Sequence, residues 1–107
     1  MAIRDWRNKI DELDRKLVQL LNERARAAQE IGKCKRDTQA PIYEPDRERQ
    51  IFENVKTANR GPLPDRDLAQ IYERIIDVMR KIQKPILAGK EARGAAACSG
   101  TELDVNE

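Results

Sequence analysis

Arg24, Lys35, Arg47, Glu48 and Gln83 share one peculiarity: each lies on, or beside, a helical row otherwise filled by apolar residues. The row Trp6, Ile10, Leu13, Leu17, Leu20 reaches Arg24 after one more step of four, and four residues past Ile31 comes Lys35. Stepping back by four from Val55 and Ile51 lands on Arg47, with Glu48 beside it, and the row Tyr72, Ile76, Met79 ends on Gln83. Arg7 adjoins Trp6, near the start of the longest row. Any one of these is accounted for by a boundary residue whose alkyl stem covers apolar surface while its head reaches water. Arg15, Lys16, Arg26 and Arg49 lie off the rows and read as solvated. Several cations on inward rows of one small chain are harder to accommodate, because unpaired buried charge is costly. Glu48 and nearby carboxylates supply part of the compensation but do not satisfy Arg7, Arg24, Lys35 and Arg47 together. A bound anion with two carboxylates would, since arginine pairs with carboxylate bidentately and holds it in a fixed plane.

The composition narrows the chemistry further. There is no histidine, which removes the commonest general base and metal ligand together. Cys34 and Cys98 cannot build a zinc site by themselves; lacking a partner motif, they read as free thiols. No metal and no other cofactor is therefore expected, and any reaction should need little proton transfer. The 21 Lys and Arg against 19 Asp and Glu leave +2 with both signs interspersed, so no basic field argues for nucleic acid or an anionic membrane. No apolar run approaches the roughly 18 residues of a membrane span, and MAIRDW lacks a signal-peptide core, so a cytoplasmic protein is expected.

Three helices must position these side chains. Residues 3–38 hold no proline and one glycine, Gly32, and their apolar residues recur at spacings of three and four. A helix of that length spans roughly 50 Å, against ~13 Å for the radius of gyration of a compact domain this size. It should overhang its own fold and bury its seam elsewhere, most simply in a homodimer. Pro41 ends it, and Pro45 suits the first turn of a second helix with Asp46 and Glu48 at its positive end. Asn59-Arg60-Gly61-Pro62 stops that helix. A third follows Pro64-Asp65, has Leu68, Ile71, Tyr72, Ile75, Ile76, Met79 and Ile82 inward, and ends around Pro85. The fold class is all-α, three helices in the order long, short, medium. Residues 1–86 form the domain, and 87–107, small and polar with no seam, read as a disordered tail.

The segments RNKIDELDRKLVQLLNERARAAQEIGKCK, PIYEPDRERQI and IYERIIDVMRKIQ, in that order, closely resemble the all-helical (AroQ-type) chorismate mutases. They are most similar to the mutase segment at the front of bifunctional prephenate dehydratase proteins. The resemblance covers about residues 5–84. Its motifs are specific in combination: R-x-x-I-D-x-x-D, E-R-x-x-x-x-x-x-I-G-x-x-K, and D-R-E-R after a proline-bracketed loop. It implies an intertwined homodimeric helical bundle that converts chorismate, a dianion with two carboxylates, to prephenate by a Claisen rearrangement. Such a unimolecular pericyclic step needs no nucleophile, metal or general base, which accounts for the missing histidine. By the same resemblance Arg24 and Arg47, with Arg7 contributed across the dimer interface, bind the carboxylates. Lys35 and Gln83 donate to the ether oxygen, Glu48 orients the ring hydroxyl, and Glu44 lies where the family often has a further acidic contact. Met79 stands where the family often has a serine that helps hold a carboxylate, so one hydroxyl is missing and weaker binding is expected. Gln83, unlike a glutamate, stays a neutral donor at every pH, so activity should persist near neutrality. Gly32, one turn before Lys35, suits either close helix approach or ordinary packing.

Two other readings fit the same residues. An isochorismate–pyruvate lyase shares the fold and uses a related pericyclic step. A non-catalytic helical interaction module would use the seam charges only to fix dimer register.

Overall fold

Pro41, Pro45, Gly61, Pro62 and Pro64 frame the two connections between the three helices in the computed structural model, which describes residues 2–88. Helix α1 runs Ile3–Thr38, α2 Pro45–Ala58 and α3 Asp65–Ala88, with no strand among the described residues. The Asp5 carboxylate accepts the Ala2 N–H at 3.2 Å and closes the start of α1. Its end is a left-handed Gln39 (φ 61°), two residues before Pro41, where Ala40 N–H bonds the Lys35 carbonyl at 3.0 Å. Pro45 occupies the first turn of α2. The short α2–α3 connection is stapled by Asn59, which donates to Leu63 O at 2.9 Å and Asp65 Oδ1 at 2.7 Å while accepting the Gly61 N–H at 3.0 Å.

α3 packs against both α1 and α2 and is the central element of the described fold. Its inward row is Tyr72, Ile76, Met79 and Gln83, the last three buried. On α1 the buried positions are Ala28, Gly32 and Lys35, all in the C-terminal third. A methyl group added at Gly32 would stand 3.4 Å from Cα, Cβ and Cγ of Gln83, so this glycine sets how closely α1 and α3 approach. The other end of α1 is bare: every residue from 2 to 23 is exposed. The described chain measures 53 × 25 × 20 Å, and its long dimension is that of α1 itself.

Three expectations need correction. α3 continues past Pro85 to Ala88: the ring deletes one intrahelical hydrogen bond, and the helix carries on beyond it. Ile71, expected inward, is 49% exposed on the outer side of α3. Cys34 is not a free thiol but disulfide-bonded, its partner lying outside the described residues; chain spacing says nothing of which sulfurs a fold brings together. The tail expected from Leu87 lies, beyond Ala88, outside the described residues.

Candidate active site

A cleft of about 280 Å³ opens where the C-terminal third of α1, the α1–α2 connection, the first turns of α2 and the last turns of α3 converge. Arg24, Lys35, Glu44, Arg47, Glu48, Met79 and Gln83 all line it, so seven of the eight candidate residues meet at one place. Arg7 does not. It is exposed on the bare half of α1, about 25 Å along the helix axis from Arg24.

The deepest polar groups are Lys35 and Gln83, at 7% and 8% exposure. Lys35 Nζ donates to the Ile42 carbonyl at 3.1 Å and pairs with Glu44 Oε1 at 3.1 Å. An ammonium has three protons, so two fixed acceptors leave the third for a group in the cleft. Glu44 directly precedes α2 yet does not cap it with its side chain, which is committed to Lys35. The Gln83 Oε1 is buried without a hydrogen-bond partner among the described residues. That oxygen can only accept, so it calls for a donor on a ligand, while the Nε2 edge of the same amide is the one able to donate.

The rim is charged. Arg24, half-buried, forms no ion pair or side-chain hydrogen bond among the described residues. Arg47 Nη1 donates to Gln50 Oε1 at 3.1 Å on its own helix, and Arg49 pairs outward with Asp46. Arg80, which no sequence row singled out, lines the cleft and donates from Nε to Glu48 Oε2 at 2.9 Å. The signal for it was a second step from Ile76: four residues on is Arg80, three is Met79. Lys35's two acceptors sit in the loop, where helical spacing carries no information. Four cations against two carboxylates leave the cleft an excess of two positive charges, and Ala27, Ala28, Ile31, Ile42, Ile51, Ile76 and Met79 supply apolar walls. Such a cavity fits a compact, partly apolar dianion.

Fold and cleft together define an all-helical, three-helix protein with a buried ammonium and amide below a cationic rim. The chain belongs to the chorismate mutase type II family, whose model matches residues 6–84. It is 38% identical over 88 residues to the bifunctional chorismate mutase/prephenate dehydratase of Aquifex aeolicus, covering 78% of this chain and 24% of that protein. The chorismate mutase of Methanocaldococcus jannaschii is 29% identical, over 76% of this chain and 83% of that protein. Among solved structures, chorismate mutase (form II) from Thermus thermophilus superimposes with a TM-score of 0.75 at 29% identity, covering 77% of this chain and 93% of that one. The chain spans about a quarter of the length of the bifunctional relatives it matches.

Proposed function

We propose that this chain is a chorismate mutase of aromatic amino acid biosynthesis, rearranging chorismate to prephenate. The observation that carries the reading is the cleft's two-charge cationic excess around a buried donor pair, matched to a dianionic substrate. Arg24 and Arg47 bind the carboxylates, joined by Arg7 of a second copy of the chain. That second copy completes an intertwined homodimer, supported by the row Ile3, Trp6, Ile10, Leu13, Leu17 and Leu20, 44–68% exposed in the single chain. Glu48 orients the ring hydroxyl. Met79 offers the substrate only apolar contact.

Catalysis then rests on two effects. The charged rim selects the folded conformer in which the reacting carbons approach, converting a rare geometry into the bound one. The third Lys35 proton and the Gln83 amide meet the ether oxygen as its bond breaks and negative charge grows there. Donors aimed at charge present only in the transition state raise kcat more than they lower KM. The domain comprises residues 1–86, and we place the enzyme in the cytoplasm; no described helix is long and apolar enough to cross a membrane.

The test is direct. Purified protein mixed with chorismate should deplete its absorbance and form prephenate, which acid converts to phenylpyruvate. Salicylate and pyruvate from isochorismate, with no prephenate from chorismate, would make it the lyase. Turnover of neither substrate would leave a helical interaction module.

A further inference from the structure

Glu48 does not stand alone in the cleft wall. Arg80 reaches it from α3, across 32 residues of chain, in an ion pair whose side chains are 32% and 20% exposed. The same guanidinium lies 5.5 Å from the centroid of the Tyr43 ring, and its Nη1 is 3.8 Å from Asp77 Oδ1. One α3 side chain therefore ties down both the first turn of α2 and the connection before it. That connection carries Ile42 and Glu44, the two partners of the Lys35 ammonium.

The geometry points to Arg80 as a positioning residue that acts through Glu48. Glu48 shares the cleft with Arg24, Lys35 and Arg47. Released from Arg80, its flexible carboxylate would swing onto one of those cations and neutralise charge that the substrate needs. Held by Arg80, it stays in the wall, and the other three cations keep their free valence for the dianion. Arg80 is not itself a carboxylate anchor, because its Nε is already bound to Glu48 and the guanidinium lies beside Tyr43.

This inference rests on the mutase reading, and two readouts separate them. In turnover assays with chorismate, Arg80→Ala should lower kcat/KM about tenfold to a hundredfold, the scale of losing a hydrogen bond to a charged group, with KM rising because the freed carboxylate competes with the substrate for its cations. Arg80→Lys should recover part of the loss, since it restores the charge without the fork. In a Glu48→Gln background the same Arg80→Ala change should cost less than about twofold, because its target is already altered. Additive losses, or a kcat/KM of Arg80→Ala within about twofold of wild type, overturn the proposal. The second readout needs no turnover. In ¹⁵N-labelled protein the Arg80 Nε–H resonance, assigned by its disappearance in Arg80→Lys, should shift in Glu48→Gln at unchanged helicity. An unmoved resonance overturns the pairing even if chorismate is turned over. Wild-type protein inert toward chorismate overturns the mutase reading instead, and the resonance still decides whether Arg80 holds Glu48.

Discussion

Removing the Lys35 side chain and removing that of Arg24 should both cripple turnover, but with opposite effects on stability. Lys35 is buried and holds Ile42 and Glu44, so Lys35→Ala deletes the donor proposed for the ether oxygen and also unfastens the connection it organises. A kcat loss of about two to three orders of magnitude is expected, the scale of losing one preorganised donor, together with a lower Tm. Arg24 has no internal partner to lose and stands among other cations. Arg24→Ala should therefore leave Tm unchanged or raised while activity collapses, the pattern of a residue kept for function at the expense of stability. Calorimetry beside steady-state kinetics separates the two; full activity in both variants would sink the assignment. Met79 gives a prediction of the other sign. It is buried in the cleft at 7% exposure, and Met79→Ser would restore a hydroxyl beside a substrate carboxylate. A hydrogen bond worth about 1 kcal/mol lowers KM roughly fivefold, while the lost apolar packing lowers Tm. An unchanged or higher KM would mean that Arg24 or Arg47 already fills that role.

At the scale of the helix, Gly32 links spacing to chemistry. A Cβ there meets three atoms of Gln83 at 3.4 Å, the near edge of ordinary contact, so alanine fits with a shift of at most a few tenths of an ångström. Two terms then nearly cancel in stability. Alanine gains up to about 1 kcal/mol of helix propensity over glycine, and the displaced packing costs an amount of the same order. They do not cancel in catalysis, because the Gln83 atoms touched are Cα, Cβ and Cγ, the stem that carries the amide at the cleft wall. Gly32→Ala should leave the unfolding free energy within about 1 kcal/mol of wild type and lower kcat roughly threefold to tenfold. Denaturant unfolding with steady-state kinetics would check it; a kcat equal to wild type would make Gly32 an ordinary packing residue. This element also shows what the sequence could disclose. The ends of α1 and α2 are written in Pro41, Pro45 and Asn59-Arg60-Gly61-Pro62, because proline and glycine restrict the backbone whatever surrounds them. Seven cleft residues were legible because helical periodicity puts them on inward rows or because motif resemblance marks them. The Lys35–Glu44 pair was not, since Glu44 lies in a loop with no period. Arg80 was half legible: the row through Tyr72 and Ile76 branches at residues 79 and 80, and only packing against α2 decides that both matter. The Cys34 disulfide depends wholly on tertiary approach, which spacing cannot reveal.

At the scale of the whole molecule, the described chain is a half-covered object. The first two-thirds of α1 carry an apolar row with Trp6 at 55% and Leu20 at 58% exposure, too much greasy surface for an isolated small domain. Pairing with a second copy, as proposed, would bury it, and Leu13→Asp with Leu17→Asp should then yield a monomer by analytical ultracentrifugation, with activity lost alongside. Arg7 supplies the sharper test. Lying about 25 Å along one rigid helix from Arg24, it cannot reach the cleft of its own chain with a side chain of about 7 Å. If Arg7 binds substrate at all, it does so in the other copy. Arg7→Ala and Lys35→Ala homodimers should then each be nearly inactive. Refolded together in equal amounts, they should form heterodimers as half of the population, each with one intact cleft: Lys35 from the first variant and Arg7 from the second. Recovery of about a quarter of wild-type activity per chain is the expected outcome. Were Arg7 to serve its own cleft, every site in the mixture would lack one of the two residues, and no activity would return.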